Sequence, residues 1–168
     1  MKKTIISIVL LFMTLTSLEA RNYNKLPALT ITQKNSLIYM YQEEKVARDI
    51  YLGMSKKWKD KIFYNIAKSE QNHMNAIGRL LLAYKIPLPV SNTVGVFTNI
   101  NLKNMYTTLY NQGIVSLSSA YKVGQTIELE DISDLKQQIV GMPLIVAKVY
   151  NNLLKGSYNH LRVFNSKL

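Results

Sequence analysis

The chain has 168 residues, with 21 Lys and Arg against 10 Asp and Glu, two His and no Cys. That length suits one domain with a core of ordinary size, and 48 % apolar with 18 % charged residues argues against intrinsic disorder. The absence of Cys excludes a disulfide framework, a zinc knuckle, a thiolate iron–sulfur centre, a thiol nucleophile and a lipoprotein anchor, so any metal site must be rich in carboxylates.

Lys2 and Lys3 precede an apolar run from Ile5 to Leu15, and Thr16 to Ala20 forms a polar end with Ala at the cut. Residues 1–20 therefore read as a secretory signal peptide, shorter in its apolar run than the ~20 residues that cross a bilayer. Export places the mature chain in the periplasm or outside the cell. Loss of Lys2, Lys3 and Glu19 takes the net charge from +11 to +10. The basic residues, from Lys34, Lys45, Lys56 and Lys57 onward, form no run of five; they read as a solvated surface, and no nucleic-acid partner is expected.

After an irregular lead over residues 21–32, the domain at 33–168 reads as helical almost throughout. The first helix is predicted from Gln33 to Lys57, with an inner face of Leu37, Met40/Tyr41, Glu44, Ala47, Tyr51 and Met54. The second starts at Asp60, a good N-cap, and stops before Pro87 and Pro89; its stripe is Ile62, Ile66, Glu70, His73, Ile77, Leu80/Leu81 and Tyr84. Ile86 to Ile100 is a long connection, followed by a short helix over Leu102 to Asn111. The third long helix starts after Ser116 and carries Tyr121, Gly124, Glu128, Asp131, Leu135 and Ile139. A break at Gly141-Met142-Pro143 leads into the fourth, with Val146, Tyr150, Leu153, Ser157, His160 and Phe164 inward. Four long amphipathic helices with one long crossover, which contains a short extra helix, predict an all-α four-helix bundle.

Polar residues interrupt each apolar stripe near its middle: Glu44, then Glu70 with His73, then Glu128 with Asp131, then His160. An unpaired carboxylate in an apolar interior costs several kcal/mol, so these groups repel one another unless cations join them. Glu70 and His73, three residues apart, project from one helix face. Three plainer readings compete. Glu44 can pair with Arg48 on a solvated face, Glu128 to Asp134 can form a charged surface stripe, and Glu43 reads as a surface acid. The tyrosines read as core filling.

An internal duplication favours the metal reading. Sliding the chain by 87 residues lays Lys61–Met74 over Lys148–Leu161 with five of fourteen positions identical, among them His73 over His160. The same offset lays Glu44 over Asp131 and Glu70 over Ser157, so the second hairpin lacks one acid, for which Glu128 is the stand-in. Two hairpins related in this way build a two-metal site from Glu44, Glu70, His73, Glu128, Asp131 and His160, with Glu70 as the bridge.

The pattern of Glu on one helix and Glu-x-x-His on the next is that of ferritin-like di-iron proteins. The string EEKVARDIY (Glu43 to Tyr51) resembles the first-helix motif of rubrerythrins. The strings FYNIAKSEQNHM, VGQTIELEDISDL and SYNHLRVF, in that order, resemble the ferritin-like domain-of-unknown-function family 2202 over about Ser36 to Phe164. The resemblance implies a ferritin-like four-helix bundle with metal binding and no assigned reaction. Carboxylate and imidazole donors without thiolate suit two iron ions, with manganese or zinc as alternatives. The expected chemistry is that of a di-iron oxidoreductase, a peroxidase or ferroxidase reacting with peroxide or oxygen, with an external electron donor because a rubredoxin-like segment needs cysteines. The alternative is a catalytically silent structural or interaction module. Assembly into an oligomer is left open.

Overall fold

The structure is a computed structural model and describes residues 26–168. The expected signal peptide at residues 1–20 lies outside the described residues. The chain forms α1 (Ile31–Trp58), α2 (Lys61–Ala83), α3 (Ile100–Gly113), α4 (Leu117–Gln138) and α5 (Leu144–Asn165), with no strand among the described residues. The fold is all-α, and the helices match the expected order.

Local chemistry sets the helix ends. Thr30 and Gln33 exchange side-chain-to-backbone hydrogen bonds in a capping box, which starts α1 at Ile31, ahead of the apolar pattern. Asp60 caps α2, Asn99 caps α3 and Ser116 caps α4, each through a side-chain oxygen on the backbone of the first turn. Lys59, in the left-handed region at φ 57°, closes α1 and turns the chain straight into α2.

Packing then builds two hairpins side by side: α1 on α2 and α4 on α5, with α1 also against α4 and α2 against α5. Gln33 Nε2 donates to Gly141 O at 2.8 Å at one end, and Trp58 Nε1 to Gly113 O at 3.1 Å at the other, so α1 and α4 are antiparallel. The core divides in two. Ile50, Tyr51, Met54, Phe63, Ile66, Ile127 and Phe164 pack at one end, and Leu37, Met40, Met74, Ile77, Leu135, Tyr150 and Leu153 at the other. Every acid and histidine singled out in the sequence falls between these clusters along its helix.

From Met40 to Tyr51, α1 is buried on every side, because the crossover and α3 cover its outer face. Asp49 anchors that cover. Lys45 Nζ, fully buried, donates to Asp49 Oδ2 at 2.5 Å and to Thr93 O at 2.7 Å; Arg48 donates to Asp49 Oδ1 and to Asn92; Gly95 N donates to Asp49 Oδ2. Arg48 therefore pairs with Asp49 and not with Glu44, and Glu43 is a buried acid, not a surface one. Asp49→Asn strands the charges of Lys45 and Arg48 in the interior. It should lower unfolding free energy by about 3–5 kcal/mol, read as a fall in urea midpoint; an unchanged midpoint would contradict this anchoring role.

Candidate metal centre

Glu44 from α1, Glu70 and His73 from α2, and Glu128 and His160 from α4 and α5 meet at one depth of the bundle. His73 Nδ1 lies 2.7 Å from Glu70 Oε2 and 3.1 Å from Glu44 Oε2. His160 Nδ1 lies 2.8 Å from Glu70 Oε1 and 3.5 Å from Glu128 Oε2. The two oxygens of Glu70 thus face one imidazole each, and the rings stack with centroids 5.7 Å apart. The result is two triads, Glu44–Glu70–His73 and Glu70–Glu128–His160, each with its donor atoms within 4.8 Å of one another and both containing Glu70.

The supporting contacts are specific. Tyr51 OH donates to Glu128 Oε1 at 2.6 Å and fixes that carboxylate from the apolar side. A Cβ on Gly156 would lie 2.6 Å from His73 Nε2, so the small residue on α5 is what lets the His73 ring sit with Nδ1 inward. Ser157 Oγ donates to Asp131 Oδ2 at 2.5 Å and holds Asp131 outside both triads, although it lines the same interior space as Glu44, Glu70 and Glu128. The structure therefore brings together five of the six sequence-predicted ligands, with Glu128 beside His160 and Glu70 common to both triads, and sets Asp131 to one side. The charged surface stripe does not form: Glu128 and Asp131 are buried, while Glu130 is exposed.

Glu43 is the residue the sequence reading misplaced. It lines the same space, yet it lies three residues after Met40 and four before Ala47, both core positions, and that spacing was the available signal. The Tyr51 hydroxyl contact and the Gly156 clearance had no counterpart in periodicity.

Burial governs the electrostatics. It raises the carboxyls of Glu44 and Glu128 to about 7; for Glu44 the neighbouring His73 offsets part of the rise, whereas for Glu128 the charge of Glu70 adds to it. Burial and the neighbouring acids lift Asp131 well above the ordinary range. Burial also acts to raise Glu70, but the two imidazoles outweigh it and hold that carboxyl at about 2. Desolvation disfavours charge on the imidazoles, yet Glu44 and Glu70 push His73 up to about 12, and Glu128 and Glu70 push His160 up to about 10.

A proton cannot satisfy this arrangement fully. Glu44 Oε1, Glu70 Oε1, Asp131 Oδ1 and His160 Nδ1 have no hydrogen bond of proper geometry. His160 Nδ1 and Glu70 Oε1 nevertheless sit 2.8 Å apart, so proximity without a bonding angle is what these two atoms show. Donor atoms crowded around a common point in this way fit a cation, and the carboxylate and imidazole donor set suits iron, manganese or zinc.

Without metal, protons hold the layer together, and that fixes the sign of the pH dependence. Glu44 and Glu128 carry folded pKa values above their unfolded ones, so the stability they lend is present at low pH and falls as pH rises toward about 7. The raised imidazoles act in the same direction, with stability full below about 6.5 and lost toward about 10 to 12. Glu70 acts oppositely, but only at acid pH, losing its contribution as pH falls toward about 2. The metal-free chain should therefore melt at a lower temperature at about pH 8 than at about pH 5, and a bound divalent ion, which displaces protons, should flatten or reverse the trend. A melting temperature that rises with pH in the absence of metal would contradict this proton assignment.

The family of uncharacterized protein domain DUF2202 matches residues 33–168. The uncharacterized protein MJ0754 of Methanocaldococcus jannaschii is 49 % identical over 134 residues, covering 79 % of this chain and 72 % of that protein. The crystal structure of hypothetical protein MJ0754 from Methanococcus jannaschii superposes with a TM-score of 0.79 at 46 % identity, over 83 % of this chain and 82 % of that one. A match over most of the chain, in sequence and in fold, makes this protein a member of the DUF2202 family.

Proposed function

We propose that this chain is an exported, ferritin-like metal-binding protein that holds two iron ions in its polar layer and reacts with peroxide or oxygen. The observation that carries the reading is the pair of triads sharing Glu70. The signal-like residues 1–20 support export, and the hairpin pair with its long crossover supports the ferritin-like comparison. Iron bound there would supply the electrons that cleave the O–O bond of a small oxidant.

The protein's own residues set the terms. Glu70, with one oxygen toward each imidazole, would hold both ions; Glu44 would complete the His73 side, and Glu128, steadied by Tyr51, the His160 side. Ser157 stands where the duplication would place a second Glu70, so Glu70 is the one acid the two triads share, and the side whose histidine lies on the same helix as Ser157, that of Glu128 and His160, is assigned to the oxidant. The apolar clusters above and below keep water away and strengthen each interaction inside.

A second reading has its own observation. Two protonated imidazoles flanking Glu70 form an ion-pair layer that can hold the helices together without metal, as a structural module would use it. Anaerobic loading with Fe2+ followed by peroxide separates the two. The parent should retain about two irons per chain through desalting and consume about one peroxide per iron pair. Glu70→Gln should lower both to background. Retention below one iron per chain would contradict the di-iron reading and favour the structural one.

A further inference from the structure

Two carboxylates of the polar layer belong to neither triad. Glu43 (4 % exposed) and Asp131 (6 % exposed) line the same interior space as Glu44, Glu70 and Glu128. Glu43 Oε2 and Asp131 Oδ1 have no hydrogen-bond partner. Buried carboxylate oxygens are costly in that condition unless a proton or a cation meets them. Among the described residues, no lysine or arginine forms an ion pair with either; Lys45 and Arg48 both turn to Asp49.

Their placement has a direction. On α4, Asp134, Asp131 and Glu128 follow one another at three-residue steps, so they stack on one helix face with about 4.5 Å of rise per step. Asp134, half-buried, stands at the outer end and accepts from Tyr39 OH at 3.1 Å. Glu128 stands at the inner end beside His160. Glu43, from α1, lines the same space as Asp131, and burial together with the charges of Asp131, Asp134 and Glu44 raises its carboxyl well above the ordinary range. Ser157 occupies the other oxygen of Asp131 and leaves Oδ1 without a donor.

We propose that the Asp134–Asp131–Glu128 column, with Glu43 opposite it, is the path by which divalent cations reach the two triads, and that Glu43 and Asp131 hold an ion in transit. The proposal rests on the two-metal reading above. Carboxyl oxygens without a partner midway can take the place of a cation's water and so lower the desolvation penalty of moving it into an apolar bundle. The pair offers oxygen donors without an imidazole, so the ion in transit is held more weakly than those in the triads.

Stopped-flow loading of the metal-free chain with Co2+, followed by its visible absorption and paired with equilibrium dialysis, tests the path. The parent should take up two ions tightly, matching the two triads, and a further ion weakly. Glu43→Gln and Asp131→Asn keep side-chain shape and each remove a buried acid. Each variant should keep the two tight ions, lose the weak one and load about tenfold more slowly. Glu130→Gln, an exposed acid on the same helix, should load at the parental rate. Two tight ions with parental loading rates in both buried variants would overturn the path while leaving the two-metal reading standing. No tight ion in the parent would overturn both.

Discussion

Glu70 turns one oxygen to His73 at 2.7 Å and the other to His160 at 2.8 Å, in the middle of an otherwise apolar bundle. A carboxylate at that depth is tolerable only while positive charge stands on both sides of it. His73 shares its helix with Glu70, but His160 comes from α5, so the contact exists only if the two hairpins pack in register. A slip of one turn would carry His160 away by about 5.4 Å and leave Glu70 half-compensated. The polar layer thus specifies the register that the apolar clusters alone would leave loosely defined.

The rest of the architecture serves that register. Tight turning at Lys59 and Asp60 fixes α1 against α2, and the capping hydroxyl of Ser116 fixes where α4 begins. The crossover is not a slack connection. Its backbone is bonded at Asn92, Thr93, Gly95, Thr98 and Asn99 to side chains of α1, with Asp49 and Gln42 as the receiving points on Gly95, Thr98 and Asn99. Wrapping α1 in this way removes water from the face behind Glu43 and Glu44. The same low-dielectric surroundings that lift their carboxyls also strengthen their attraction for any cation that arrives.

Much of this was legible in the sequence because helices expose their inner face through spacing. Glu44, Glu70, His73, Glu128 and His160 each interrupt an apolar stripe, and the 87-residue offset pairs the two histidines. The offset also matches Asp131 to Glu44, with Glu128 as a further acid; in the structure Glu128 stands in the triad and Asp131 bonds Ser157. A backbone repeat fixes helix positions, but which of two acids one turn apart reaches the centre depends on side-chain contacts such as the Tyr51 hydroxyl. Glu43 differs for another reason: its spacing from Met40 and Ala47 admits an inward position, but periodicity alone reads α1 as two-faced, and the crossover that covers its outer side makes contacts distant in sequence.

The central claim is that the polar layer is a two-ion site centred on Glu70. Diffraction from iron-soaked crystals, recorded on either side of the iron absorption edge, tests it most directly. The account predicts two anomalous peaks per chain, one within bonding reach of Glu44, Glu70 and His73 and the other of Glu70, Glu128 and His160. An interior without anomalous density, with His73 and His160 still paired to Glu70, would contradict it.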